Sequence, residues 1–208
     1  CLLFDWWKGT LPPIPADRPL LVFASHRHED HFSPAIFSLD DGTRDVTFLL
    51  GRDIRLTDRS RTRWNVSDAT AAHCIRLGGG EVRDLPSGVK IETLTSTDEG
   101  VAFLVTVGGH TLFHAGDLNW WHWEGEEESF NLDQATRYQH EMQQLKTAYE
   151  KSVNGTAASP YDQEESILYG TYEPLSVTIT HIINNKSGIS FTSYSPVSYT
   201  HLTLPTTS

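Results

Sequence analysis

Ten residues, Ser25 to Pro34, read SHRHEDHFSP and hold the pattern His-x-His-x-Asp-His: His26, His28, Asp30 and His31. Imidazole nitrogens and a carboxylate are the donors that a borderline-soft divalent ion such as zinc prefers. Four of them within six residues form a polydentate set. The alternate residues His26 and His28 can grip one ion, and the adjacent pair Asp30 and His31 can face a second. A histidine-rich surface loop would account for His26 and His28 alone, but the added Asp-His pair points to metal chemistry.

Those ligands need an element to present them. Leu20 to Ser25, LLVFAS, is an apolar run that reads as a buried strand. The cluster therefore leaves a strand's carboxyl end, where open α/β sheets build their sites. Ser33 caps and Pro34 opens a short helix to Leu39. Leu2 to Trp7 reads as a strand region bearing Asp5 at its end, and the Pro-rich LPPIPADRP crosses to the next strand. Val46 to Leu50 is another buried strand, and the Arg-rich stretch Arg52 to Trp64 reads as a surface connection. Strands are expected over 71–77, 81–85, 89–95 and 101–107. Gly108 to His110 turns a hairpin into the returning strand TLFHAG. Asn131 to Ser152 is a long helix whose Ala135, Tyr138, Met142, Leu145 and Tyr149 recur at 3-4-3-4 spacing, one stripe for packing on a sheet.

The second informative segment is LFHAGDLNWWHW, Leu112 to Trp123. Asp117 follows a strand, and the small Ala115-Gly116 pair lets the backbone approach a neighbour closely. Gly-Asp alone is a common turn; beside a metal loop its carboxylate is placed to bridge two cations. His114, three residues earlier, reads as a buried, hydrogen-bonded histidine. Trp120 and His122 are candidates for contact with substrate, Trp120 as an apolar wall and His122 as a polar contact. The competing reading packs two of the three tryptophans, Trp120, Trp121 and Trp123, onto the long helix. Glu124 to Glu128 is a solvated acidic turn.

Residues 20–31 and 89–123 together resemble the metallo-β-lactamase-fold superfamily, in its general metallo-hydrolase branch with lactonase-like enzymes. The resemblance implies an α/β chain folded as a four-layer αββα sandwich, here truncated at both ends, with the site at the edge between two sheets. It implies that His26 and His28 hold a first metal, that Asp30 and His31 hold a second, and that Asp117 bridges them. Two ligands of the pattern are displaced. The third histidine for the first metal would fall in LTSTDEGVAFLV, where Asp98 is the candidate oxygen ligand and a turn residue is the other reading. His73 is the nearest upstream histidine, but it sits in a strand-like run and reads as structural. The last histidine would follow a late strand, where His181 is the candidate.

The implied cofactor is a pair of zinc ions, with manganese or iron also compatible, and the implied activity is hydrolysis of a small ester, lactone or phosphoester. Two ions about 3.5–4 Å apart lower the pKa of a shared water toward about 7. Asp30 and Asp117 are then the catalytic carboxylates, with Asp30 placed to orient the nucleophile and protonate the leaving group. Each ligating imidazole also needs a partner on its other nitrogen. Asp5 is one of several carboxylates available for that, and sequence does not choose among them. The rival readings are a mononuclear or non-catalytic metal-binding domain, motivated by the missing histidine, and a superfamily nuclease.

Composition sets the outer bounds. A chain of 208 residues with 38% hydrophobic content can bury one sizeable core. A net charge of −11 argues against tracking nucleic-acid backbones, though metal charge can still recruit an anionic small-molecule substrate. Two cysteines, Cys1 and Cys74, make no disulfide framework, which points to a reduced, cytoplasmic compartment. No apolar run approaches the roughly 20 residues of a membrane span. Oligomeric state is not legible.

Charge density divides the chain. Residues 153–208 carry only Asp162, Glu164, Glu165, Glu173 and Lys186, against 38 charged residues before them. The expected organisation is a partial domain over 1–152 and a linker with a strand, or an out-of-frame stretch, over 153–196. Residues 197–208, VSYTHLTLPTTS, resemble one reading frame of a sequencing adapter and read as an artefactual tail. A chain so organised is expected to fold only weakly.

Overall fold

The computed structural model describes residues 1–148 in full and the backbone of 149–153 and 181–183. It is a mixed α/β structure with two sheets. The first sheet is parallel, ordered β1 (Leu2–Phe4), β2 (Leu20–Ala24), β3 (Val46–Gly51) and β4 (Cys74–Leu77). The second is antiparallel and contains β5 (Val82–Asp84), β6 (Lys90–Thr95), β7 (Val101–Val107), β8 (His110–His114) and β9 (His181–Ile183). Every residue of β2 is buried, as expected for a parallel strand covered on both faces.

Alternation along β2 and β3 divides the apolar residues into two sets. Leu20, Val22, Ala24, Val46, Phe48 and Leu50 pack against Phe32, Ile36, Phe37 and Trp64, which come from the segments connecting the strands. The opposite residues Leu21, Phe23 and Leu49 meet Ile91, Val101, Phe103 and Val105 of the second sheet. A third cluster joins Leu94, Ala102, Leu104 and Phe113 to Tyr138, Met142, Leu145 and Ala148 of α3 (Glu128–Val153). Of the expected stripe, Tyr138, Met142 and Leu145 lie on the second sheet, with Ala148 as a further member; Ala135 is outside that cluster, and the side chain of Tyr149 lies outside the described residues.

Local chemistry explains most element ends. Ser33 accepts from the Ala35 amide at the start of the 3-10 helix Pro34–Leu39, as its sequence suggested. The hairpin between β7 and β8 turns through Gly108 (φ 58°) and Gly109 (φ 80°). Two successive positive-φ residues are what a two-residue turn matching strand twist requires.

Two expectations need correcting. The stretch 52–64 is not merely a connection: it contains α1 (Asp58–Trp64), capped by Thr57 and stopped at Asn65 in the left-handed conformation. The run 71–77 is not one strand, because α2 (Asp68–Ala72), capped by Ser67, occupies its start and only Cys74–Leu77 is extended. In both segments an N-cap hydroxyl was present in the sequence, but short polar helices lack a strong apolar period. Among the described residues, no helix is long and apolar enough to cross a membrane. Residues 154–180 and 184–208, with most of the proposed linker and the whole adapter-like tail, lie outside the described residues.

Candidate metal centre

Four chain segments converge where the carboxyl ends of β1 and β2 meet the β6–β7 and β8–α3 connections. Ser25 is the crossing point. Its carbonyl accepts from the Val101 amide at 3.0 Å, joining the first sheet to the second. Gly100 and Gly116 press onto it: a Cβ at Gly100 would lie 2.1 Å from Ser25 O, and one at Gly116 2.7 Å from Ser25 Cβ. Both glycines also have positive φ, so no other residue fits there without displacing the chain.

The loop leaving Ser25 folds back sharply, with the amides of His31 and Phe32 both donating to His28 O. Asp53 accepts the Arg27 amide at 2.7 Å and anchors the loop to the end of β3. His26 and His31 are buried, while His28 and Asp30 are partly exposed. Asp117 is 9% exposed and lies opposite, with Oδ2 3.5 Å from His26 Nε2 and Oδ1 3.1 Å from His31 Nε2. One carboxylate therefore faces both imidazoles with separate oxygens.

Asp98 joins them. His26, His28, Asp98 and Asp117 each offer a donor atom within 4.8 Å of the others, and His26, Asp30 and His31 form a second such group. The β6–β7 loop carrying Asp98 is held by Thr97, whose hydroxyl donates to Asn119 O at 2.7 Å and accepts from Asn119 N at 2.9 Å. Arg137 of α3 donates to Ser96 O, and Glu141 accepts from the Thr95 amide.

A buried carboxylate organises the interior side. Asp5, fully buried and itself in the left-handed region (φ 43°), accepts from Ser25 N and Ser25 Oγ, both at 2.7 Å. His31 Nδ1 lies 2.8 Å from Asp5 Oδ2, and His114 Nε2 lies 2.7 Å from the same oxygen. A carboxylate can only accept, so both rings donate here, and His31 Nε2 is the nitrogen that would offer its lone pair to a cation. The same reasoning assigns His26. Ser25 gives its one hydroxyl proton to Asp5, so His26 Nδ1, 3.0 Å away, donates to Ser25 Oγ and Nε2 is left bare. For His28, Glu99 stands 3.6 Å from Nε2 and Asp98 3.6 Å from Nδ1. Glu99 is in turn held by Arg27 through two 2.6 Å hydrogen bonds.

Burial opposes a charge on Asp5, but the charges and hydrogen bonds of His114 and His31 outweigh it and hold the carboxyl far below the usual range. His26 is pushed down, first by burial and then by the charge of His31. Burial also disfavours charging His31, yet Asp117 and Asp5 on its two nitrogens overcome this and raise it to about 10. Raised so far, His31 holds a proton on each nitrogen at neutral pH, with Nε2–H directed at Asp117 Oδ1.

The donor set fits a divalent cation. His26 Nε2 and His28 Nδ1 lie 3.0 Å apart, and His31 Nε2 lies 3.1 Å from Asp117 Oδ1. Ring nitrogens directed into one space beside two or more carboxylates are what a metal ion can bind as their protons are released.

The sequence candidates His26, His28, Asp30, His31, Asp98 and Asp117 are all brought together. His181 is the first described residue of β9, and its backbone pairs with Phe113, next to the end of β8. His73 is not in a strand: it caps the end of α2, is exposed, and pairs with Asp40 away from the site. His114 is buried and hydrogen-bonded, as expected. Trp120 makes a ring contact with Tyr138 of α3, and Trp121 and Trp123 stack on each other. Trp120 remains 40% exposed, and His122 is exposed. Ser25, Thr97 and Glu99 carried no motif signal, since their roles arise from contacts distant in sequence. Comparisons with protein-family models and with curated proteins found no match to this chain.

Proposed function

We propose that this chain is a metal-dependent hydrolase of the metallo-β-lactamase fold, acting on a small ester, lactone or phosphoester with two divalent ions, zinc above all. The observation that carries the reading is Asp117, whose two oxygens address two imidazole groups that belong to overlapping donor sets. The two sheets, with helical segments against the first and α3 against the second, support the αββα sandwich.

His26, His28, Asp98 and Asp117 would hold one ion, and Asp30, His31 and Asp117 the other. When bound, such a pair supplies Lewis acidity that polarises a carbonyl or phosphoryl oxygen and acidifies water toward neutral pH. Asp5 and Ser25 hold the far nitrogens of His31 and His26, so that each Nε2 is the nitrogen turned toward the cation. Asp30, its side chain 40% exposed at the rim, orients the attacking water and returns a proton to the leaving group. Trp120 supplies an apolar wall and His122 a polar contact for the substrate. The expected setting is the cytoplasm, with a small molecule as the partner.

The test is metal content with turnover. Two equivalents of zinc, hydrolysis of p-nitrophenyl acetate, a γ-lactone or bis-p-nitrophenyl phosphate, and loss of turnover in His26→Ala and Asp117→Ala are expected. Loaded protein inert toward all three substrates would overturn the hydrolase. A mononuclear binding domain is the second reading, favoured by the completeness of the first donor set beside three described donors in the second.

A further inference from the structure

We propose that the cleft between the metal loop and α1 is a separate binding site for an oxyanion carried on an aromatic ring, with Arg55 and Arg63 as its anion contacts and Trp64 as its ring contact. The site does not depend on the hydrolase reading above.

Shape and apolar lining come first. The cleft holds about 480 Å³, and Phe32, Ile54 and Trp64 supply its apolar lining. Phe32 and Ile54 are 6% and 0% exposed, while Trp64 stays half-buried. Phe32 packs edge-on with Trp64 at 5.3 Å between ring centres, and Phe37 stacks on Trp64 at 6.2 Å. The indole is therefore held in place from within the core. A second ring can pack on it with little further ordering of the protein.

Charge supplies the other half. Arg27, Arg55, Arg63, Glu29 and Asp53 line the cleft, a net charge of +1 in a chain of net −11. Arg27 is already bound to Glu99 through two 2.6 Å hydrogen bonds. Asp53 is engaged as well: Oδ2 accepts the Arg27 amide at 2.7 Å, and Oδ1 is buried. Glu29 is exposed, where solvent screens its charge. Arg55 and Arg63 make no side-chain hydrogen bond or ion pair among the described residues. With 27 acidic residues against 16 basic ones in the chain, two guanidiniums left open on one cleft are available to an outside anion.

The backbone sets where they stand. Ser60 Oγ donates to Arg55 O at 2.6 Å and ties the β3–α1 connection to α1, which carries Arg63 three residues further on. Guanidinium forks match the paired oxygens of a carboxylate or a phosphate. A bare inorganic anion would leave Trp64 and Ile54 without contact, and a neutral ring would leave both arginines so. An aryl oxyanion meets both.

The experiment is calorimetric titration of the full chain in EDTA with phenyl phosphate, benzoate, inorganic phosphate and benzyl alcohol, repeated on zinc-loaded protein. At least one of the two aryl anions is expected to bind with a Kd of about 1 mM or tighter. Comparing them tells a tetrahedral head from a planar one. Inorganic phosphate and benzyl alcohol should bind at least about tenfold more weakly. Arg55→Ala and Arg63→Ala should each weaken the aryl anion by about tenfold. Both side chains are exposed, so the melting temperature should not move. Asp117→Ala should leave the affinity unchanged. No aryl anion bound at up to about 10 mM, inorganic phosphate bound equally well, or full affinity in both arginine variants overturns the proposal. Binding that appears only after zinc loading places the anion at the metals and overturns it too. The hydrolase is decided separately, by metal content and turnover.

Discussion

At the residue scale the centre depends most on Asp5, a side chain that touches no proposed cation. It fixes His31 directly and His26 through Ser25. Asp5→Ala would leave four buried donors unpaired, Ser25 N, Ser25 Oγ, His31 Nδ1 and His114 Nε2, and a loss of about 3–5 kcal/mol is expected in urea unfolding. Asp5→Asn keeps the shape but puts a donor against two imidazole N–H groups. It should lower zinc affinity by about 10–100-fold in a competition assay. The pH response of the metal-free chain follows from the same groups. Asp5 is held below its unfolded value, so its stabilisation is present above about pH 3.8 and is lost as pH falls. His31 is raised to about 10, so its stabilisation is complete below about pH 6.5 and disappears as pH rises through 10. Melting temperature in EDTA should therefore decline at both ends, and added zinc should flatten the alkaline decline by replacing the proton. Elsewhere, burial and the nearby Asp40 push the Cys74 thiol up to about 12. At pH 8 a disulfide reagent should modify exposed Cys1 quickly and Cys74 only slowly.

At the element scale, the β6–β7 loop depends on a helix that begins some thirty residues later. Arg137 and Glu141 bind the backbone of Ser96 and Thr95, and Thr97 ties the same loop to Asn119. Arg137→Ala combined with Thr97→Val should weaken cobalt(II) binding by about tenfold in a visible-absorption titration and leave the far-UV circular dichroism spectrum nearly unchanged. Such a split would separate loop positioning from general loss of fold. Gly100→Ala is more severe, because the added Cβ meets Ser25 O at 2.1 Å in a backbone region that favours glycine. It should lower the melting temperature and both metal affinities together.

At the scale of the whole molecule, the net charge of −11 acts over the distance between substrate and site. A negatively charged phosphodiester is repelled during approach, and salt screens that repulsion within a Debye length of about 10 Å at 0.1 M. Raising ionic strength from about 0.01 to 0.3 M should increase kcat/KM for bis-p-nitrophenyl phosphate while leaving that for p-nitrophenyl acetate nearly constant. Equal salt responses would show that local metal charge dominates the approach.

The sequence by itself determined the ligand loop, because His26, His28, Asp30 and His31 lie within one short segment after an apolar strand. It also determined the β-strands whose apolar runs are long and the stripe of α3. It misread 52–77, where α1 and α2 are too short and polar to leave a helical period. Only the tertiary structure decided the rest of the centre. Asp98 reads equally well as a turn residue until the β6–β7 loop is seen against His28. Asp5, 26 residues from His31 and 109 from His114, becomes their common partner because β1 pairs beside β2 and β8 ends above them. Local spacing encodes donors that share a loop; donors and their anchors on different strands meet only when the two sheets pack.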